Sequence, residues 1–200
     1  MEPVSNPFSP GAGSPPPELV GRDDVIEKAK ILLGRVLKRK SEKSLMLVGL
    51  RGVGKTVLLN EIEKYSRGDD YKTIVIEAHE GKSLAALLAP HLRGLLFQLD
   101  NMANLHEKAR RGLRVLKGFI GSVKVKFSEI EFGLDIEAER GAADSGDLEV
   151  DLPNLFVAVA EAAREYDIAI VLLIDEMQYL SEKELGALIM AMHKMQQLQY

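Results

Sequence analysis

The chain has 200 residues, 46% of them hydrophobic and 28% charged, with a formal net charge of -4. A chain of this size can bury a core, and the balance is that of an ordinary soluble globular domain with no global pull toward nucleic acid. Cysteine is absent, which excludes disulfides and cysteine zinc sites and fits a reducing cytoplasm.

Residues 1–17, rich in Pro, Gly and Ser, form neither helix nor central strand. They read as a disordered leader or as an extended arm anchored by Phe8. No basic n-region or apolar core marks a signal peptide, and the longest apolar run, 168–174, falls far short of the ~20 residues of a membrane helix.

Residues 23–40, DDVIEKAKILLGRVLKRK, place apolar side chains at helical spacing, with Asp23 or Asp24 as the cap and a basic last turn. Residues 44–49, SLMLVG, predict a short buried strand, 55–66 a helix and 73–78 a second strand. Residues 83–118 predict helix broken at Pro90 and near Asn101. The period changes to two over 119–136, which predicts a β-hairpin insertion. The hairpin either touches DNA or a partner, or caps the long helix. The basic run 108–117 either meets phosphates or is a solvated face paired with 137–151, an acidic stretch that predicts a flexible loop. Residues 153–165 predict a helix, 168–174 a strand buried on both faces, and 181–198 a helix with Ser181 and Glu184 as its capping box.

Two stretches carry chemistry. Residues 49–56 read Gly-x-x-x-x-Gly-Lys-Thr, between a strand and a helix pattern. Glycines let the backbone curl around an anion, and the following helix N-terminus points its amides at the same place. Gly49, Arg51, Gly52, Val53, Gly54, Lys55, Thr56 and Val57 are therefore expected to contact nucleotide, Lys55 reaching the β- and γ-phosphates and the Thr56 hydroxyl ligating Mg²⁺. The second stretch is IVLLIDEMQYL, where an apolar strand ends in Asp175 and Glu176. Asp175 is expected to hold Mg²⁺ and Glu176 to act as general base toward water. Asp175 is followed by Glu-Met-Gln, which is unlike the Asp-x-x-Gly of Ras-like GTPases. The four histidines have no spacing that builds a zinc site.

Preceded by ELVGRDDVIEKAKILL at 18–33, these motifs resemble the N-terminal part of AAA+ P-loop ATPases, most closely the origin-recognition-like (ORC-like) branch of bacterial and archaeal ATPases. The resemblance covers 18–66 and 168–180 well and the remainder loosely. It implies an α/β P-loop NTPase fold, a three-layer α/β/α sandwich with a parallel sheet, over residues 18–200. Gly49–Thr56 then forms the Walker A loop, and Asp175 and Glu176 form the Walker B pair. It also implies that Leu19, Val20 and Gly21 lie against adenine, with ATP or ADP and Mg²⁺ as ligands. The implied function is an ATPase that drives conformational change in the cytoplasm, as a homo-oligomer or with a protein or DNA partner. A nucleotide-gated switch with negligible turnover and a DNA-associated loader remain alternatives. The family's sensor residue, arginine finger and lid are not found before Tyr200, so the chain is expected to be the front of a longer ATPase. Its sheet order leaves a gap between 44–49 and 168–174, and no regular ladder should join them directly.

Overall fold

The computed structural model describes residues 21–40, 42–50, 52–101, 106–123 and 136–200. The arm over 1–17, Leu19, Val20, Arg51 and the hairpin positions 124–135 lie outside them.

The elements in order are α1 (Asp23–Leu37), α2 (Lys55–Tyr65), β1 (Tyr71–Glu77), α3 (Leu84–Asp100), α4 (His106–Ser122), α5 (Leu148–Glu165), β2 (Ala169–Asp175) and α6 (Glu182–Leu198). β1 and β2 pair in parallel, from Tyr71 beside Ala169 to Glu77 beside Asp175. Successive strand residues point to opposite faces, and here that alternation divides two cores. Ile74 and Ile76 of β1, with Ile170, Leu172 and Ile174 of β2, pack into a large cluster formed with α3, α4, α5 and α6. Val171 and Leu173 point the other way, into a small cluster with Ala29 of α1 and with Leu58 and Ile62 of α2. Helices thus cover both faces of a parallel sheet, as expected.

Several expectations need correction. Residues 44–49 form no strand, although the absence of a ladder joining them to β2 among the described residues agrees with the expected gap. Leu47 packs on the small cluster, but Val48 and Leu50 stand 89% and 81% exposed. A strand requires a partner for its backbone groups, and among the described residues none pairs with this apolar run. For the same reason β2 is only half-buried along most of its length rather than buried on both faces. Asp23 and Asp24 lie in the first turn of α1 and do not cap it; the N-cap is Arg22, whose side chain makes no capping bond. Pro90 does not break α3, whose residues Leu88, Ala89 and Leu92 are buried in the large cluster, so packing holds the helix across the missing N–H. The break at Asn101 is present, with Asn101 Nδ2 donating to the Phe97 carbonyl at 2.9 Å.

Residues 119–122 belong to α4, with Phe119 fully buried, and not to a hairpin. The stretch 137–151 is no free loop: α5 begins at Leu148, capped by Asp147, with Pro153 inside the helix. Its turn is pinned by the buried carboxylate of Asp151. The capping box of α6 is formed as predicted, with Ser181 and Glu184 bonded reciprocally.

Candidate nucleotide site

The phosphate loop runs from Gly49 into α2. Gly52 and Gly54 both have φ 83°, a region costly for any residue with a Cβ, and Gly54 is the N-cap from which α2 starts at Lys55. The first amides of α2 therefore face the loop, where an anion is favoured. Lys55 Nζ turns back and donates to the carbonyls of Gly49 and Leu50, at 3.0 and 2.9 Å. These contacts hold the loop closed around its own cation.

Thr56, one residue into the helix, reaches the end of β2. Its Oγ1 donates to Asp175 Oδ2 at 2.6 Å. The other carboxylate oxygen, Oδ1, accepts from the Glu176 amide at 2.8 Å. The parallel ladder extends just past the strands, where the Ala78 amide donates to the Asp175 carbonyl at 3.0 Å, fixing the height of the acid. A hydroxyl and a carboxylate sharing one position are the donor set that a hard divalent cation takes, with phosphate and water oxygens completing the shell. Thr56 and Asp175 fit Mg²⁺ on that ground. Glu176 itself has φ 54° and ψ 37°, left-handed for a residue with a side chain.

Of the predicted residues, Gly49, Gly52, Val53, Gly54, Lys55, Thr56, Val57, Asp175 and Glu176 fall together at the ends of β2 and α2. Gly21 is described, with φ 76°, immediately before Arg22. A cleft of about 360 Å³ opens beside the loop, lined in part by Arg22, Val25, Leu45, Leu47 and Lys55. Sequence reasoning missed two contacts. Arg22 Nη2 donates to the Val53 carbonyl at 2.9 Å, tying the start of α1 to the loop; its signal was its place in Val-Gly-Arg. Gln178 Nε2 donates to Glu176 Oε2, and only its closeness to the acid pair hinted at it.

Two neighbouring features are distinct from this site. A cleft of about 490 Å³ lies between the turns that follow β1 and β2, lined in part by His79, Lys82, Tyr179 and Lys183, and contains none of the loop residues. The basic run on α4 is bonded within the chain. Lys108 pairs with Glu165, Arg110 with Asp100, Arg111 with Glu139 and Glu161, and Arg114 with Glu107 and Glu139. Lys117 donates to the Ile136 carbonyl. The solvated face paired with the acidic stretch is therefore what forms, through Glu139.

Among the described residues no cluster of three or more His, Cys, Asp or Glu side chains could hold a metal on its own, and no helix is long and apolar enough to cross a membrane. No curated protein and no solved structure matches the chain. A family model described as an AAA ATPase domain matches residues 18–200, nearly the whole length and both halves of the site. With phosphate loop and acid pair joined at Thr56 and Asp175, the chain belongs to the AAA ATPase domain family, whose members bind nucleotide on a P-loop α/β fold.

Proposed function

We propose that this chain is a Mg²⁺-dependent ATPase module of the origin-recognition-like branch, hydrolysing ATP to ADP and phosphate to drive a conformational change. The observation that carries this reading is the Thr56–Asp175 hydrogen bond, which joins the two motifs across 119 positions of sequence. Lys55 and the loop amides hold the β- and γ-phosphates, and Arg51 and Val57 are further candidate contacts to the nucleotide. The Lys55 ammonium exchanges its two carbonyl partners for phosphate oxygens. Thr56 and Asp175 hold Mg²⁺, which when bound neutralises charge on the phosphate oxygens. Glu176 takes a proton from the attacking water. The resemblance assigns Leu19, Val20 and Gly21 to the adenine, and Arg22 and Val25, which follow them in sequence, line the cleft beside the loop. The branch further suggests a cytoplasmic protein that assembles with copies of itself.

A second reading is a nucleotide-gated switch that binds ATP or ADP with negligible turnover. The second edge of β2 favours it, because among the described residues no strand pairs with that edge to carry a residue that orients a water. The DNA-associated reading has less support, since the basic side chains of α4 already have partners.

The test is phosphate release from MgATP by the wild type, Lys55→Ala and Glu176→Gln. The ATPase reading predicts release by the wild type, loss of nucleotide binding in Lys55→Ala, and binding without release in Glu176→Gln. Binding without release in the wild type supports the switch. No binding in any of them overturns both.

A further inference from the structure

The turn after β2 reverses the chain at Glu176. Its left-handed backbone, φ 54° and ψ 37°, is uncommon outside glycine and persists where the surroundings enforce it. A single 3-10 turn, Met177–Tyr179, follows at once. The Tyr179 amide donates to the Glu176 carbonyl at 3.0 Å and the Leu180 amide to the Met177 carbonyl at 3.1 Å. This reversal folds position 178 back over position 176, and Gln178 Nε2 donates to Glu176 Oε2. Both ends of the segment are anchored. Asp175 Oδ1 accepts from the Glu176 amide, and beyond the turn the Ser181–Glu184 capping box is itself tied to α3, since Glu184 Oε1 accepts from the Leu84 amide at 2.6 Å. The geometry is thus set by backbone and caps, and the amide contact is its outcome.

A glutamate at the surface has three rotatable bonds and no reason to keep its carboxylate in one place. A carboxamide can fix one oxygen while leaving the group's charge intact, and it does not itself ionise near neutral pH. We propose that Gln178 is a positioning residue for hydrolysis: its side-chain amide holds Glu176 Oε2, leaving Oε1 to accept the proton of the attacking water. The water oxygen bonds to the γ-phosphorus, the bond from that phosphorus to the bridging oxygen breaks, and ADP leaves with that oxygen's electron pair. Gln178 takes no part in bond making. The proposal rests on the reading of Glu176 as the base.

The test measures kcat and KM for MgATP separately in the full chain, for the wild type, Gln178→Ala, Gln178→Glu and Gln178→Arg. Gln178→Ala is expected to lower kcat about tenfold with KM within about twofold of wild type, since only orientation of the base is lost. Gln178→Glu, of the same size but without a donor, is expected to fall further, and Gln178→Arg, which restores donors, to recover part of the loss. A residue that merely filled space would tolerate the Glu substitution best. A second measurement needs no turnover: the Gln178 side-chain amide proton resonances should move on Glu176→Ala. Wild-type kcat retained in both Gln178→Ala and Gln178→Glu, in a protein silenced by Glu176→Gln, would overturn the proposal alone, as would amide resonances indifferent to Glu176. A wild type that releases no phosphate overturns the reading beneath it instead.

Discussion

The carboxylate of Asp151 is 2% exposed and accepts from the Ser145 amide and hydroxyl, the Gly146 amide and the Ser122 hydroxyl. It locks the end of α4 to the turn that starts α5. A buried carboxylate so bonded leaves several donors stranded when removed, so Asp151→Ala should cost about 2–4 kcal/mol in denaturant unfolding. Glu184 is the other structural carboxylate. Burial pushes its pKa up, but the amides of Leu84 and Ser181 and the Ser181 hydroxyl outweigh burial and hold it below the ordinary value of 4.5. A depressed folded-state pKa means a contribution present above 4.5 and lost as pH falls through the lower folded value. The gap in stability between wild type and Glu184→Gln, followed by urea unfolding, should therefore be widest above pH 4.5 and shrink as the pH falls below it. A gap independent of pH would remove the charge-assisted caps from the account.

At the scale of elements, α3 and α4 meet where Gly112 faces Leu96. A Cβ at Gly112 would lie 2.6 Å from Leu96 Cδ2, so Gly112→Ala should destabilise the protein by about 1–3 kcal/mol through overpacking. Pro90 is exposed on the same α3 and lacks a helical N–H, so Pro90→Ala should raise stability by about 1–3 kcal/mol, read from the thermal midpoint. Elements set by local chemistry were legible in sequence. The loop from Gly49 to Thr56, the start of α2 at Lys55 and the Ser181–Glu184 box depend on residues a few positions apart. Elements set by distant partners were not. The run SLMLVG has strand composition, but pairing is non-local and no strand among the described residues lies beside it. Phe119 and Ile120 read as the start of an alternating strand pattern, yet Phe119, Ile120 and Val123 also share one helical face, and the large cluster selected the helix through Ser122. The helix expected from 153 begins instead at Leu148, five residues earlier, because Asp147 supplies the cap.

Across the whole molecule the two faces of the sheet are unequally packed. The large cluster unites α3, α4, α5 and α6 with β1 and β2, whereas the face bearing α1, α2 and the phosphate loop has a small core, and Val75 of β1 remains exposed toward it. Opening free energy follows local packing, so amides of α1 and α2 should exchange faster than those of α4 and α5. Saturating MgATP should slow exchange on the thin side selectively, by up to about 2.7 kcal/mol at a hundredfold excess over Kd. Uniform exchange over both faces would contradict a nucleotide-dependent half. The same asymmetry explains what could be read of the site: its donors were visible as motifs, but the contact that unites them, Thr56 to Asp175, exists only because β2 ends beside the start of α2. The most direct measurement is calorimetric titration of MgATP into the wild type and Lys55→Ala, each repeated with Mg²⁺ chelated. The account predicts one wild-type site, weakened by chelation and at least about a hundredfold weaker in Lys55→Ala, the loss of a charge-assisted phosphate contact. Equal binding by both proteins, or none by either, would contradict it.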